Sequence, residues 1–523
     1  MRTFKLVLPI LLVIIFGITA SAQRKGVLSG GLETNNIYYQ SDSKTNAEVP
    51  DNKIGSNNYL RLDYTLDKIQ VGVQYEGYFP ALVGYNKTLD GSKITNRYAS
   101  YTDDRLSFMA GHFYEQYGSG LILRTYEERS LGINNAIDGV RVALSPIEGF
   151  KIKGLVGKQR KFLDESAGKL YGIDSDINVN EFLTEMPIDV NIGGSWVNKY
   201  ETNTSAQEIP TSVNSYAFRA SLGSGGFSLD GEYVYKDKDP NFSNEYNQYT
   251  GEALLLNLGY TKKRLGTTLT FRRLEYMDFR SERDATGEAV MINYLPALTR
   301  QHRYALASLN PYATSVNGEI GGQFDLYYRF KKGSALGGKY GTLLQVNYSQ
   351  YHNLDINKSQ FFYVNEKLFS DFSIDIEKKW NSKLKTIGSF INQYYNKSVI
   401  SSTPDIPVIK SSVIVADLQY KIGKKTSIRT ELQQLFTKQD EKNWAMALIE
   451  FNYAPRWGIY VSDMYNYGSS KTHYYNVGGT YTRGNTRCLI SYARNRKGIQ
   501  CVGGICRDMP AYTGLNLSIT SRF

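Results

Sequence analysis

Residues 510–523 read PAYTGLNLSITSRF, and their alternation bears most directly on the fold. Leu515, Leu517, Ile519, Ser521 and Phe523 share one mostly apolar face, while Gly514, Asn516, Ser518, Thr520 and Arg522 share a polar one. Strand side chains alternate with period two, so this is a strand with one apolar side and one wet side. Alone, it suits the end of a soluble β protein as well as a membrane barrel. The rest of the chain has to choose.

At the other end, Arg2 and Lys5 precede an apolar run from Leu6 to Ile18, and Ala20-Ser21-Ala22 supplies a small-residue cleavage site. Residues 1–22 therefore read as a secretory signal peptide and 23–523 as one exported domain. The run is shorter than the roughly 18 residues a spanning helix needs. No Cys follows the cleavage site directly, which argues against a lipid anchor. No later segment reaches spanning length without charges, and the mean hydropathy is −0.39. Composition then favours a barrel: 42 Tyr and 47 Gly stand against 13 Pro. Tyrosine suits a membrane interface, with its ring among headgroups and its hydroxyl in water. Glycine suits strands that bend or crowd a neighbour.

The strands come in pairs. Leu60, Leu62, Tyr64 and Leu66 alternate with Arg61, Asp63, Thr65 and Asp67. Beyond an Asp67-Lys68 turn, Ile69, Val71, Val73 and Tyr75 alternate with Gln70, Gly72, Gln74 and Glu76. A charged inner face is foreign to a sandwich core but normal for a barrel that is apolar toward lipid and polar toward its lumen. Further tight turns are expected at Thr102-Asp103-Asp104, Ser145-Pro146, Gly223-Ser224, Asn381-Ser382 and Arg483-Gly484-Asn485. Longer polar connections alternate with them, such as 41–56, 201–211 and 398–410. The expected fold is all-β, a transmembrane antiparallel β-barrel of about 24 strands (about 20 to 26). An even number places both termini on the periplasmic side of a bacterial outer membrane.

Such a barrel has a backbone diameter of roughly 45–50 Å. One or both of two segments that break the hairpin rhythm are expected to fold into that lumen as constrictions or plugs, the alternative being a cap of outer-surface loops. Residues 113–137 carry Arg124, Glu127, Glu128 and Arg129, and residues 277–316 carry Arg300, His302 and Arg303. These seven side chains form the candidate constriction. A structureless 40-residue connection is uncommon, so the second segment is expected to pack.

Little points to chemistry. His112, His302, His352 and His473 lie far apart without metal-ligand spacing, and no G-x-S-x-G occurs. His112 with Ser119 and Glu127/Glu128 is the nearest approach to a catalytic set, and a lumen hydrogen-bond network explains it better. The reading is non-enzymatic, without metal, cofactor or nucleic acid. Cys501 and Cys506 flank Val-Gly-Gly-Ile and are expected to form a disulfide stapling a loop on the outer surface, leaving Cys488 over. The formal charge of +11, less Arg2 and Lys5, leaves about +9 on the exported chain. Basic clusters such as 158–161, 262–264 and 331–332 suit lipid phosphates beside the membrane.

With GHFYEQYGSG, RTYEERSLG, INYLPALTRQHRY and CVGGICR, the chain resembles an uncharacterised Tyr-rich outer-membrane β-barrel family of the Bacteroidota type. That resemblance implies location and fold, not a reaction. The final strand resembles the closing strand of such barrels, whose terminal pattern is read by the barrel assembly machinery; Leu515, Leu517, Ile519 and Phe523 would face lipid. Strand character beginning at Gly26 leaves little room for the large plug domain of an energy-coupled receptor. Two functions follow as expectations: a porin-like channel or gated pore for an unidentified solute, or a non-conducting structural or assembly subunit bound to other outer-membrane proteins.

Overall fold

A computed structural model describes residues 26–47, 49–203, 208–354, 364–400 and 406–523. The expected signal peptide, 1–22, lies outside them. The wall is one 24-stranded antiparallel sheet. Its first strands are β1 (Val27–Gln40), β2 (Ile54–Leu66), β3 (Ile69–Tyr78), β4 (Gly91–Thr102), β5 (Leu106–Phe113) and β6 (Ile137–Ile147). Next come β7 (Phe150–Lys161), β8 (Asp164–Asn178), β9 (Asp189–Tyr200), β10 (Ser212–Ser224), β11 (Phe227–Lys236) and β12 (Gly251–Lys262). Then follow β13 (Leu265–Glu275), β14 (Gly318–Arg329), β15 (Thr342–Leu354), β16 (Val364–Lys379), β17 (Leu384–Tyr395) and β18 (Ile409–Lys421). The last are β19 (Thr426–Thr437), β20 (Trp444–Tyr453), β21 (Trp457–Asn466), β22 (His473–Arg483), β23 (Thr486–Asn495) and β24 (Tyr512–Arg522).

Each strand pairs with its chain neighbours, and β24 returns to β1 with Gly31 opposite Arg522 and Gln40 opposite Thr513. Closure leaves no free edge. The strand number agrees with the alternation in the sequence. Gly26, the first described residue, and Phe523 sit at the end that carries the short turns.

Most turns at that end are tight. Asp67, Lys263 and Gly484 take positive φ, as two-residue hairpins of right-handed twist require. Two turns lie further along than expected. The β6–β7 turn is at Glu148-Gly149, because a register shift between Leu144 and Ile147 absorbs Ser145-Pro146 into the strand. The β10–β11 turn uses Gly225 and Gly226, whose φ of 57° and 93° suit glycine.

The outward face is apolar: Ile69, Val71 and Val73 are all exposed. The inward face is not simply polar. Residues 114–136 and 276–317 fold into the lumen and pack against it. Tyr117, Ile122, Leu123, Phe279 and Ile292 form one cluster with the wall residues Leu155, Leu170, Val197, Val234 and Leu274. Tyr304, Leu306 and Ala307 meet Ile391, Val413 and Leu435 across the barrel. Burying each such side chain contributes about 1.5–3 kcal/mol. The lumen therefore holds a core like that of a soluble domain.

Candidate functional site

The two inner segments are held by hydrogen bonds to ion pairs buried along the wall. Arg160 of β7 holds Glu76 of β3 through two hydrogen bonds of 2.7 and 2.6 Å, and Tyr78, Thr95 and Gln74 also donate to that carboxylate. Gln74 donates in turn to Glu127 of the first segment at 2.8 Å. Arg272 of β13 donates to Glu319 at 2.6 Å and to the Pro296 carbonyl of the second segment at 2.6 Å. Tyr312 donates to the other Glu319 oxygen. Lys199 and Lys236 converge on Asp239, and Lys236 also reaches the Asp278 carbonyl. The ion-paired groups Glu76, Arg160, Lys199, Lys236, Asp239, Arg272 and Glu319 are almost fully buried.

The seven expected constriction residues do not form one ring. Arg129 sits against the first strands, 2.9 Å from Glu33, 3.1 Å from Glu127 and 4.4 Å from the Tyr59 ring centre. Arg124 is turned away and lies 4.0 Å from the Tyr294 ring centre. Glu128 accepts from Ser130 N–H and O–H, capping the short 3-10 turn Arg129–Leu131. Across the lumen, Arg300 pairs with Asp375 and His302 lies 2.8 Å from Asp371, both on β16. Arg303 donates to the Tyr304 hydroxyl and lines a cavity of about 680 Å³ toward the short-turn end, beside Asp417, Arg429 and Glu450. Arg129 and Glu127 thus anchor the first segment near β1–β3, and Arg300 and His302 anchor the second segment at β16. His112 points outward beside Asp138, while Ser119 gives its N–H to Glu232 inside; the catalytic set considered from sequence does not assemble. Among the described residues no three His, Cys, Asp or Glu side chains converge as a metal site.

Tyr85, Arg507 and Arg129, itself one of the seven, come together where the disulfide hairpin meets the first segment. Cys501 and Cys506 are disulfide-bonded and directly opposite in the hairpin Gly498–Val502/Ile505–Met509, between β23 and β24. This hairpin does not stand free on the outer surface. It leans onto the second segment, where the Tyr294 hydroxyl donates to Gly503 O at 2.7 Å and Ala297 N–H donates to Gly504 O at 3.0 Å. That contact leaves Arg507 with its guanidinium carbon 4.1 Å from the ring centre of Tyr85, in the β3–β4 connection. Arg507 also donates to the Gly84 and Leu131 carbonyls at 3.3 Å each. Its Nε is buried and has no partner among the described residues. Tyr85 donates to the Arg129 carbonyl at 2.8 Å.

Tyr85, Arg129 and Arg507 line two cavities at once. One, of about 460 Å³, lies among the long connections and is bordered by Tyr59, Asn134, Glu288 and Asp508. The other, of about 450 Å³, follows the inner faces of β1 and β21–β24, where Asn35, Tyr460, Asn476, Ser491, Asn516 and Ser518 present amides and hydroxyls. Nearer the short-turn end Thr520 and Arg487, opposite one another on that inner face, are exposed. In the outer cavity, burial raises the Glu288 pKa, with Arg280 opposing. Nothing in the sequence pairs Tyr85 with Arg507; the one usable hint was a basic residue next to a stapled cysteine.

On the closing strand Leu515, Leu517 and Phe523 are exposed on the outward face and Ile519 is half-buried there.

The fold and its filled lumen define a transmembrane β-barrel with internal plug segments. The chain belongs to the family of unknown function DUF6029, which matches it over residues 1–523. No curated protein matches it. Among solved structures it is similar to the P pilus usher (PapC) translocation pore, at 9% identity and a TM-score of 0.46, covering 95% of this chain and 99% of that one. It is also similar to the siderophore receptor PirA from Pseudomonas aeruginosa, at 9% identity and a TM-score of 0.44, covering 96% of this chain and 81% of that one. Similarity this remote says nothing of a solute or a partner.

Proposed function

We propose that this protein is a gated pore of a bacterial outer membrane, with both termini periplasmic and its path in the sector bounded by β1 and β21–β24. The observation that carries this reading is the partition itself. Elsewhere the inner segments pack against the wall; here three side chains stand between an outer cavity and an inner one. The reading assigns no reaction and no cofactor. The solute is small and polar, because the inner cavity offers amides and hydroxyls.

Planar-bilayer recording tests it. Wild type should open rarely, and Tyr85→Ala/Arg507→Ala should raise open probability several-fold. Silence in both would overturn the pore.

A second reading, a non-conducting structural subunit, draws on the buried ion pairs, which fix the inner segments like a permanent filling. It requires a partner that co-purifies in mild detergent. Recovery of the barrel alone from every mild detergent would count against it.

A further inference from the structure

The outward face of the wall carries one row of polar side chains where its apolar band stops. Strand register places Tyr200 of β9, Lys169 of β8, Lys158 of β7, Asp138 of β6 and His112 of β5 side by side along a single ladder row. Arg97 of β4 continues it, its backbone N–H 3.4 Å from His112 Nδ1. Two residues further toward the short-turn end, the same strands present Tyr171, Val156 and Val140, all exposed. The row therefore marks the border between hydrocarbon and headgroups at the long-loop end.

Its charges are unevenly matched. The Asp138 carboxylate is taken by Arg97 at 3.2 Å, with His112 at 3.7 Å. Lys158 and Lys169 are left directly opposite each other, and among the described residues neither has an ion-pair partner. Like charges placed opposite in a ladder repel. On a lipid-facing wall their stems lie along apolar surface and both ammonium groups rise to one height. An anion between them removes the repulsion, and at that height the available anion is a headgroup phosphate.

We propose that Lys158 and Lys169, beside Tyr200, form a binding site for the phosphate of a phosphorylated lipid headgroup. The site is independent of the pore, lying on the opposite face of the wall from any solute path. It also gives the basic 158–161 cluster a specific use: Lys158 faces lipid, while Arg160 faces inward to Glu76.

Native mass spectrometry of the barrel in mild detergent tests this, with phosphatidic acid as the phosphate-bearing lipid and phosphatidylcholine as the comparison. Wild type should retain phosphatidic acid preferentially. Lys158→Gln/Lys169→Gln should lose it by about tenfold or more, while Lys331→Gln/Lys332→Gln, at the short-turn end, should not. Heat-modifiability on gels checks that each variant is folded. Equal retention by the two double variants would overturn the site. So would competition by inorganic phosphate at the lipid's own concentration, which would make it a site for soluble anions.

Discussion

The inner segments and the disulfide hairpin all fill the barrel mouth, yet they are held by different forces. The segments are fastened through hydrogen bonds to ion pairs buried in the wall, such as Arg272–Glu319 at 1% and 0% side-chain exposure. The hairpin touches the rest of the mouth through hydrogen bonds to backbone carbonyls and one guanidinium on a ring. A buried ion pair is expensive to break, because removing one partner strands the other charge away from water. A half-buried cation held by neutral carbonyls and a ring leaves no opposite charge stranded when it moves. Fixed filling and movable closure can be told apart by what holds them.

The sharpest way to break that contrast is to strand a charge beneath the plug. Arg272→Met leaves Glu319 with only the Tyr312 hydroxyl and the Ser315 N–H. The expected loss is about 3–5 kcal/mol, read as a lower unfolding temperature in detergent. A variant as stable as wild type would mean the second segment is not held as described.

The staple comes next. Cys501→Ser/Cys506→Ser removes a ring of six residues, worth about 2 kcal/mol of loop-closure entropy in the hairpin. Its effect should stay local: faster amide exchange over 498–509, and none over the inner segments. Arg507→Ala should move stability less again, by about 1 kcal/mol for a half-buried cation–ring contact. It should nevertheless raise open probability in bilayers more than Arg272→Lys does. The reverse order would place the gate in the plug.

The wall was legible because lipid on one side and water on the other enforce a two-residue period, as in Ile69 to Glu76. Where an inner segment packs against the wall, both faces become apolar and the period fades: Leu170 points in and Tyr171 points out on β8. The turn error at Ser145-Pro146 has a similar source, since a proline-containing turn signal was absorbed by an irregularity in the ladder. The segments were recognisable as interruptions, but their charges could not be assigned. Glu128 is a local cap and Arg300 an anchor, roles that depend on Ser130 and Asp375 being near. The Tyr85–Arg507 contact joins residues more than four hundred positions apart, and no local pattern reports that.

The smallest effect tests the outer cavity. Burial raises the Glu288 carboxyl above its ordinary range; nearby Arg280 opposes this and Asp278 adds to it. A folded-state pKa above the unfolded one means that folding favours the protonated acid. The contribution is complete below the ordinary glutamate pKa and is lost as pH rises through the raised value. Wild type should therefore lose a little thermal stability as pH rises through the weakly acidic range, whereas Glu288→Gln, fixed in the neutral form, should not. Because Glu288 borders the partition, the same change is expected to leave the hairpin contacts intact and open probability flat with pH. If Glu288→Gln instead abolishes pH-dependent gating seen in wild type, the carboxylate belongs to the partition made by Tyr85, Arg129 and Arg507, and the division between fixed filling and movable hairpin has to be redrawn to include residues 286–290.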